Sequence, residues 1–150
     1  MTGSVLRAGL RAALFVLVAT AAAGAAPAAG QDLNQTLSRV ASAWHRGDAA
    51  AITRLAASSG VSIDVDGRSV GPLAPRQAAA VLRRVFEDRE SVNARGNMTR
   101  SVGGSPQRAF GEIAWTTRAR GTTIPERATL FVAFVREDDG WRITEIRLIR

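Results

Sequence analysis

The chain of 150 residues has no cysteine, no tyrosine and no lysine, and His45 is its only histidine. Each absence removes a class of chemistry. Without cysteine there is no disulfide, no thiolate nucleophile and no Cys-bound zinc. Without lysine there is no Schiff-base amine and no phosphate-loop lysine. One histidine cannot build a multi-histidine metal centre within a single chain. Neither a metal nor a cofactor is therefore expected. What is present is the composition of one globular domain, 46% hydrophobic and 22% charged, not that of a disordered or fibrous chain.

The first 30 residues differ from the rest. Arg7 and Arg11 give a positive start, residues 12–26 run without a charge, and small residues follow around Ala26, Pro27, Ala28 and Gly30. That is the order of a secretory signal peptide, with cleavage after Ala28 or Gly30. The apolar run of 15 residues, rich in alanine, is short of the roughly 20 that a spanning helix needs. The expectation is a signal peptide over 1–30 and one domain over 31–150, exported to the periplasm or beyond in a bacterium, with no stable membrane span after cleavage. Taking Arg7 and Arg11 from the 20 basic residues leaves 18 against 13 acidic, a net of +5. The domain must stay folded without disulfides, by packing alone.

From Asp32, the residues Leu33, Leu37, Val40 and Trp44 recur at helical spacing. Gly47 follows where a left-handed residue ends a helix, and Asp48 stands where a side-chain cap starts the next. Val61, Ile63 and Val65 alternate with Ser62 and Asp64, and Asp66-Gly67 is a hairpin signal. Pro75 fits the first turn of a third helix whose apolar face holds Ala78, Leu82, Val85 and Phe86. Strand-like runs follow at 92–102, 108–120, 126–136 and 141–149, punctuated by glycine, proline and aspartate. The order is α-α-β-β-α-β-β-β-β. It predicts an α+β domain with three helices packed on a curved, mostly antiparallel sheet.

The stretches WHRGDAAAITRLAA, VSIDVDG, PRQAAAVLRRVFED and the closing DDGWRITEIRLIR resemble the cystatin-like cone domains of the nuclear transport factor 2-like superfamily, closest to a secreted bacterial branch of unknown function. The resemblance covers 31–150 and rests on order and short patterns. It implies that Gly47 and Asp48 form a structural joint between two helices, so that Arg46-Gly47-Asp48 is not an adhesion signal. The superfamily holds enzymes and binders alike, so fold does not decide function.

Catalytic members of that superfamily place polar groups inside the cone. Ketosteroid isomerase uses an Asp base with an oxyanion hole of Tyr and protonated Asp, which a chain without tyrosine cannot copy. His45 either lines the cone mouth as an acid or base or is an ordinary helix-flank residue. Asp64 and Asp66 are either paired carboxylates or hairpin residues. Glu87, Asp88 and Glu90, with Arg83, Arg84 and Arg89, read as a solvated helix end with local ion pairs. Ala109, Gly111, Ile113, Trp115 and Thr117 share one strand face, and the small Ala109, Gly111 and Ala119 leave room beside Trp115. Trp44, His45, Phe86, Met98 and Trp115 are thus the candidates to line an apolar pocket, against the alternative of a filled core.

The run ATLFVAFV is apolar on both faces: Leu130, Val132 and Phe134 on one, Phe131, Ala133 and Val135 on the other. One set faces the helices; the other, extended by Ile143 or Ile146, is expected to meet a second copy of the chain. Strand arginines 108, 118, 120, 127, 136, 142, 147 and 150 form a candidate basic surface, but nucleic acid is not expected for an exported chain. The leading expectation is an exported, non-catalytic binding or assembly domain. It holds a small apolar ligand between helices and sheet, or acts as a dimeric adaptor. The alternative is a small isomerase, dehydratase or cyclase-type enzyme with a titratable group in the cone.

Overall fold

The structure, a computed structural model, describes residues 29–150. The expected signal segment lies almost wholly outside the described residues. The first helix, α1 (Ala29–His45), buries Leu33, Leu37, Val40, Ala41 and Trp44, the stripe that 3.6-residue periodicity lays on one side. Asp32 stands in its first turn, where a negative charge favours the helix dipole. A tight joint leads into α2 (Ala49–Thr53).

The hairpin of β1 (Val61–Val65) and β2 (Arg68–Leu73) follows. Its turn residues Asp66 and Gly67 have φ of 51° and 82°, both in the left-handed region that the tight mirror-image turn requires. Asp64 Oδ1 accepts the Gly67 N–H at 2.9 Å and locks the turn. Next comes α3 (Pro75–Asp88), with Pro75 in its first turn and Gln77 Oε1 accepting the Ala74 N–H at 3.3 Å. It buries Ala78, Ala79, Leu82 and Phe86. Four long strands complete the chain: β3 (Arg89–Gly103), β4 (Arg108–Ala119), β5 (Glu126–Glu137) and β6 (Gly140–Ile149).

The six strands form one sheet in the order β2-β1-β6-β5-β4-β3. Only β1 and β6 run parallel; every other pair is antiparallel. Register slips in β3 at Ser91/Asn93, Gly96/Met98 and Ser101/Gly103, and in the β5–β6 pair at Ala133/Phe134. Bulges of this kind bend a strand and increase its twist, which curves the sheet around the helices. The result is the α+β arrangement expected, three helices on one face of a curved, mostly antiparallel sheet.

The core lies between that face and the helices. Along β4, Ala109, Ile113, Trp115 and Thr117 are buried, and along β5, Ala128, Leu130, Val132 and Phe134. Two glycines let α1 approach closely. A Cβ at Gly111 would lie 2.6 Å from Leu37 Cδ1, and one at Gly96 would lie 3.2 Å from Leu37 Cδ2. The room expected beside Trp115 at Gly111 is therefore taken by Leu37.

The end of α3 is exposed at Arg83, Arg84, Glu87 and Asp88 as expected, but the ion pairs that follow it differ from those expected. No loop separates α3 from β3. Glu90 reaches across the sheet to Arg118 at 2.7 Å, and Arg89 to Glu126 at 2.6 Å. The ion pairs there are cross-strand or longer in range, not local to a helix.

Candidate functional site

At the joint, Gly47 has φ of 65°, and the Asp48 side chain accepts the Ala51 N–H at 2.9 Å. Gly47 lies against Phe86: a Cβ there would sit 3.6 Å from the Phe86 ring. The Arg46-Gly47-Asp48 tripeptide is thus a packed corner between two helices. It is not the tip of a free loop.

The expected pocket residues do not stay together. Trp44, Phe86 and Trp115 do meet, in edge-to-face contacts with ring centroids 5.0 Å and 5.5 Å from Trp44, a favoured geometry for aromatic pairs. They fill the space between helices and sheet. Trp115 Nε1 donates to Ser91 Oγ at 2.9 Å, whereas Trp44 Nε1 is buried with no hydrogen-bond partner among the described residues. His45 is exposed, with Nδ1 3.4 Å from Ser91 Oγ. Met98 is 52% exposed on the far side of the sheet. The slip at Gly96/Met98 explains that position: one extra residue moves the side chains beyond it to the opposite face.

Among the described residues the buried polar side chains are Thr36, Thr53 and Thr117. Each hydroxyl is used by backbone: Thr36 and Thr53 donate within their helices to the carbonyls of Asp32 and Ala49, and Thr117 donates across strands to the Glu90 carbonyl. Asp64 and Asp66 serve the hairpin and its neighbours. Asp64 Oδ1 holds the turn and Asp66 pairs with Arg150. No group of three or more metal-binding side chains occurs among the described residues.

An open concavity of about 630 Å³ lies elsewhere, between α3 and the β1–β2 hairpin. Its apolar wall comes from the hairpin residues Ile63, Val65 and Val70 and from Val81 and Val85 of α3. Ile63 and Val70 are cross-strand partners, so both project to the same side. Ile63 is buried but Val70 is 44% exposed. Charged side chains form the remainder: Asp66, Arg68, Arg84, Asp88, Arg89 and Arg150. The Arg150 guanidinium bonded to Asp66 holds that carboxyl below the usual carboxylate range, with a further contribution from Arg89. The volume falls within the range of small-molecule sites. Each wall reads in the sequence as an ordinary half-buried face; only their meeting makes the concavity.

The outer face of the sheet carries a second feature. Phe110 is 50% exposed and Phe131 42%, on adjacent strands and diagonal to each other across the β4–β5 register. Ala133 and Val135 lie on the same side, half-buried. Ile143 and Ile146, expected to extend this patch, are both buried on the core side. The slip at Ala133/Phe134 places both inward although they are three positions apart. The candidate basic surface is largely spoken for. Arg118, Arg136, Arg142, Arg147 and Arg150 are in ion pairs, and Arg120 donates to the Glu87 and Phe86 carbonyls.

No protein-family model matches the chain, and no curated protein does. Solved structures match it in shape. A DUF4783 family protein from Bacteroides ovatus is similar with a TM-score of 0.60 at 16% identity, over 73% of this chain and 90% of that one. A domain of unknown function with a cystatin-like fold from Nostoc punctiforme reaches 0.64 at 16% identity, over 83% and 78%. A dehydratase candidate of the nuclear transport factor 2-like family from Streptomyces avermitilis reaches 0.58 at 11% identity, over 79% and 92%. With the element order, the strand order and the packing of three helices on one face, these likenesses show that the chain has the cystatin-like α+β fold that proteins described as nuclear transport factor 2-like also have.

Proposed function

We propose that the protein is a non-catalytic binding domain that holds a small ligand in the concavity between α3 and the β1–β2 hairpin. The observation that carries this reading is the content of the cone. Trp44, Phe86 and Trp115 occupy it, and the buried polar side chains described are three threonines whose hydroxyls are bonded to backbone carbonyls. Acid–base chemistry needs a titratable side chain within hydrogen-bond reach of the substrate. Among the described residues the cone offers none; the open concavity lies against a different surface, and of its two carboxylates Asp66 is held by Arg150 and Asp88 stands at the exposed end of α3. Native mass spectrometry of the protein purified from its own host tests this. The expected result is a retained small molecule that Val70→Asp releases. Protein that always runs at its sequence mass, and takes up no amphiphile offered to it, rejects the reading. Turnover of a bound molecule would favour an isomerase- or dehydratase-like enzyme instead.

A second reading rests on the outer sheet face, which is proposed to pair with a second copy of the chain. Phe110, Phe131, Ala133 and Val135 form a contiguous apolar patch, and such patches mark interfaces. Both charge signs border it: Arg100 and Glu145 stand in register with Phe110 and Ala133. A surface that carries both signs can meet its own copy about a two-fold axis. Sedimentation at high micromolar concentration is expected to give a dimer; a monomer there removes this reading.

Export belongs to the same proposal. It is supported by Arg7, Arg11, the uncharged run 12–26 and the small residues after it. The mature chain is expected to begin between Ala26 and Gln31. N-terminal sequencing that finds Met1 on the stable protein overturns it.

A further inference from the structure

We infer that the concavity between α3 and the hairpin takes an amphiphile with one anionic head and one apolar tail, the head at the hairpin tip. The inference rests on the proposal that this concavity is the ligand site, and adds its chemistry and its polarity.

The path of the chain separates the two ends. β1 runs up to the tip at Asp66-Gly67, β2 returns to Leu73, and α3 starts at Pro75 and runs back. The C-terminal end of α3, with Asp88 and Arg89, therefore comes to lie beside the tip. Electrostatics agree: Asp66 responds to Arg150 and then to Arg89, and Arg150 responds to Asp66, then to Glu126 and then to Asp88. Away from the tip the walls are apolar. Val70 and Ile63 of the hairpin face Val81 one helical turn before Val85.

The charged end carries more positive than negative groups, four arginines against two aspartates. Their pairing matters more than their number. Arg150 is held by Asp66, and Arg89 by Glu126 at 2.6 Å. Arg68 and Arg84 are exposed, and neither has an ion pair or hydrogen bond among the described residues. Asp88 is the one lining carboxylate left unbonded. Two free guanidiniums against one free carboxylate suit a carboxylate or phosphate head, which arginine can grip with two parallel N–H bonds. A helix C-terminus ordinarily repels an anion. Here the last carbonyls of α3 already accept from Arg120, at 2.5 Å to Glu87 O and 3.1 Å to Phe86 O.

Calorimetry at low salt with five probes tests the inference: octanoate, decanoate, octyl phosphate, octanol and inorganic phosphate. Octanoate or octyl phosphate is expected to bind at least tenfold tighter than octanol. Decanoate should exceed octanoate by about fourfold per added methylene. The tighter of the carboxylate and phosphate probes names the head, and either supports the shared chemistry. The double variant Arg68→Ala/Arg84→Ala should lose the preference for anionic probes without a change in thermal midpoint, since both side chains are exposed and unpaired. Val70→Asp should abolish the dependence on chain length. Octanol binding as tightly as octanoate overturns the anionic head and leaves the ligand site standing. Inorganic phosphate binding as tightly as octyl phosphate overturns the tail. No binding of any probe overturns both this inference and the proposed ligand site.

Discussion

Gly47 and Asp48 hold a corner that two different physical effects make specific. Gly47 sits at φ of 65°, where an L side chain costs about 1–2 kcal/mol. Its would-be Cβ meets Phe86 only at ordinary contact distance, so the cost of Gly47→Val comes from the backbone and not from a clash. That variant should lose about 1 kcal/mol or more in a urea melt. Asp48→Ala should lose roughly 0.5–2 kcal/mol by releasing the Ala51 N–H. Gly111 is the opposite case. Its φ is not in the left-handed region, but a Cβ would press on Leu37 Cδ1 at 2.6 Å. Gly111→Ala should therefore cost about 1–3 kcal/mol through overpacking, and the same substitution should cost less when it is made in a Leu37→Ala background. The two buried indoles separate in the same way. Trp115→Phe breaks a bond to Ser91, whereas Trp44→Phe removes an N–H that has no partner. A buried donor without a partner is worth about 1–3 kcal/mol against the fold, so Trp44→Phe is expected to be the milder change. Equal midpoints for the two would count against it.

Among the elements, those with strict periodicity were readable in the chain itself. The helices announced themselves through Leu33, Leu37, Val40 and Trp44, and through Ala78, Leu82 and Phe86. β4 and β5 did so through alternation that holds for five and four buried positions. What was not readable were the places where alternation slips. Met98 would face the core if β3 were regular from Ala94 through Gly96; the extra residue after Gly96 turns it outward. Ile143 and Ile146 would face opposite ways in a regular β6, and the slip beside Ala133 turns both inward. Bulges depend on the partner strand, so a single strand's pattern does not show them. β5 tests the faces directly. Val132 is fully buried and Ala133 is its outward neighbour. Val132→Glu places an unpaired charge in the core and should leave no stable fold. Ala133→Glu should keep the fold and, if the outer face is an interface, give a monomer by sedimentation. Similar thermal midpoints for the two variants would mean that the faces are assigned wrongly.

At the scale of the whole molecule the same limit explains why the concavity could not be found in the sequence. Val70, Val81 and Arg84 each fit an unremarked helix or strand face, and only the return of α3 along the hairpin brings them together. The long-range ties have the same character. Arg150 bonds Asp66, Arg118 bonds Glu90, and the Ser58 backbone N–H and hydroxyl both reach Glu137 at 2.9 Å. Each of these three carboxyls is held below its ordinary value, first by a hydrogen bond from its partner. A carboxyl whose pKa is depressed on folding stabilises the native state above its unfolded value, and that contribution is lost as the pH falls through the native one. The reference values are 3.8 for Asp66 and 4.5 for Glu90 and Glu137. These three ties should therefore be at full strength above about pH 5 and weaken progressively below about pH 4. All three are at the surface, so each contribution is small and screened by salt. Their joint removal is the informative experiment. The triple variant Asp66→Asn, Glu90→Gln, Glu137→Gln should be slightly less stable than the parent at pH 7, and the gap should close as the pH approaches 3. Thermal melts across pH 3–7 at low salt decide it: a gap that stays constant over that range would show that these carboxyls do not tie the elements together through their charge.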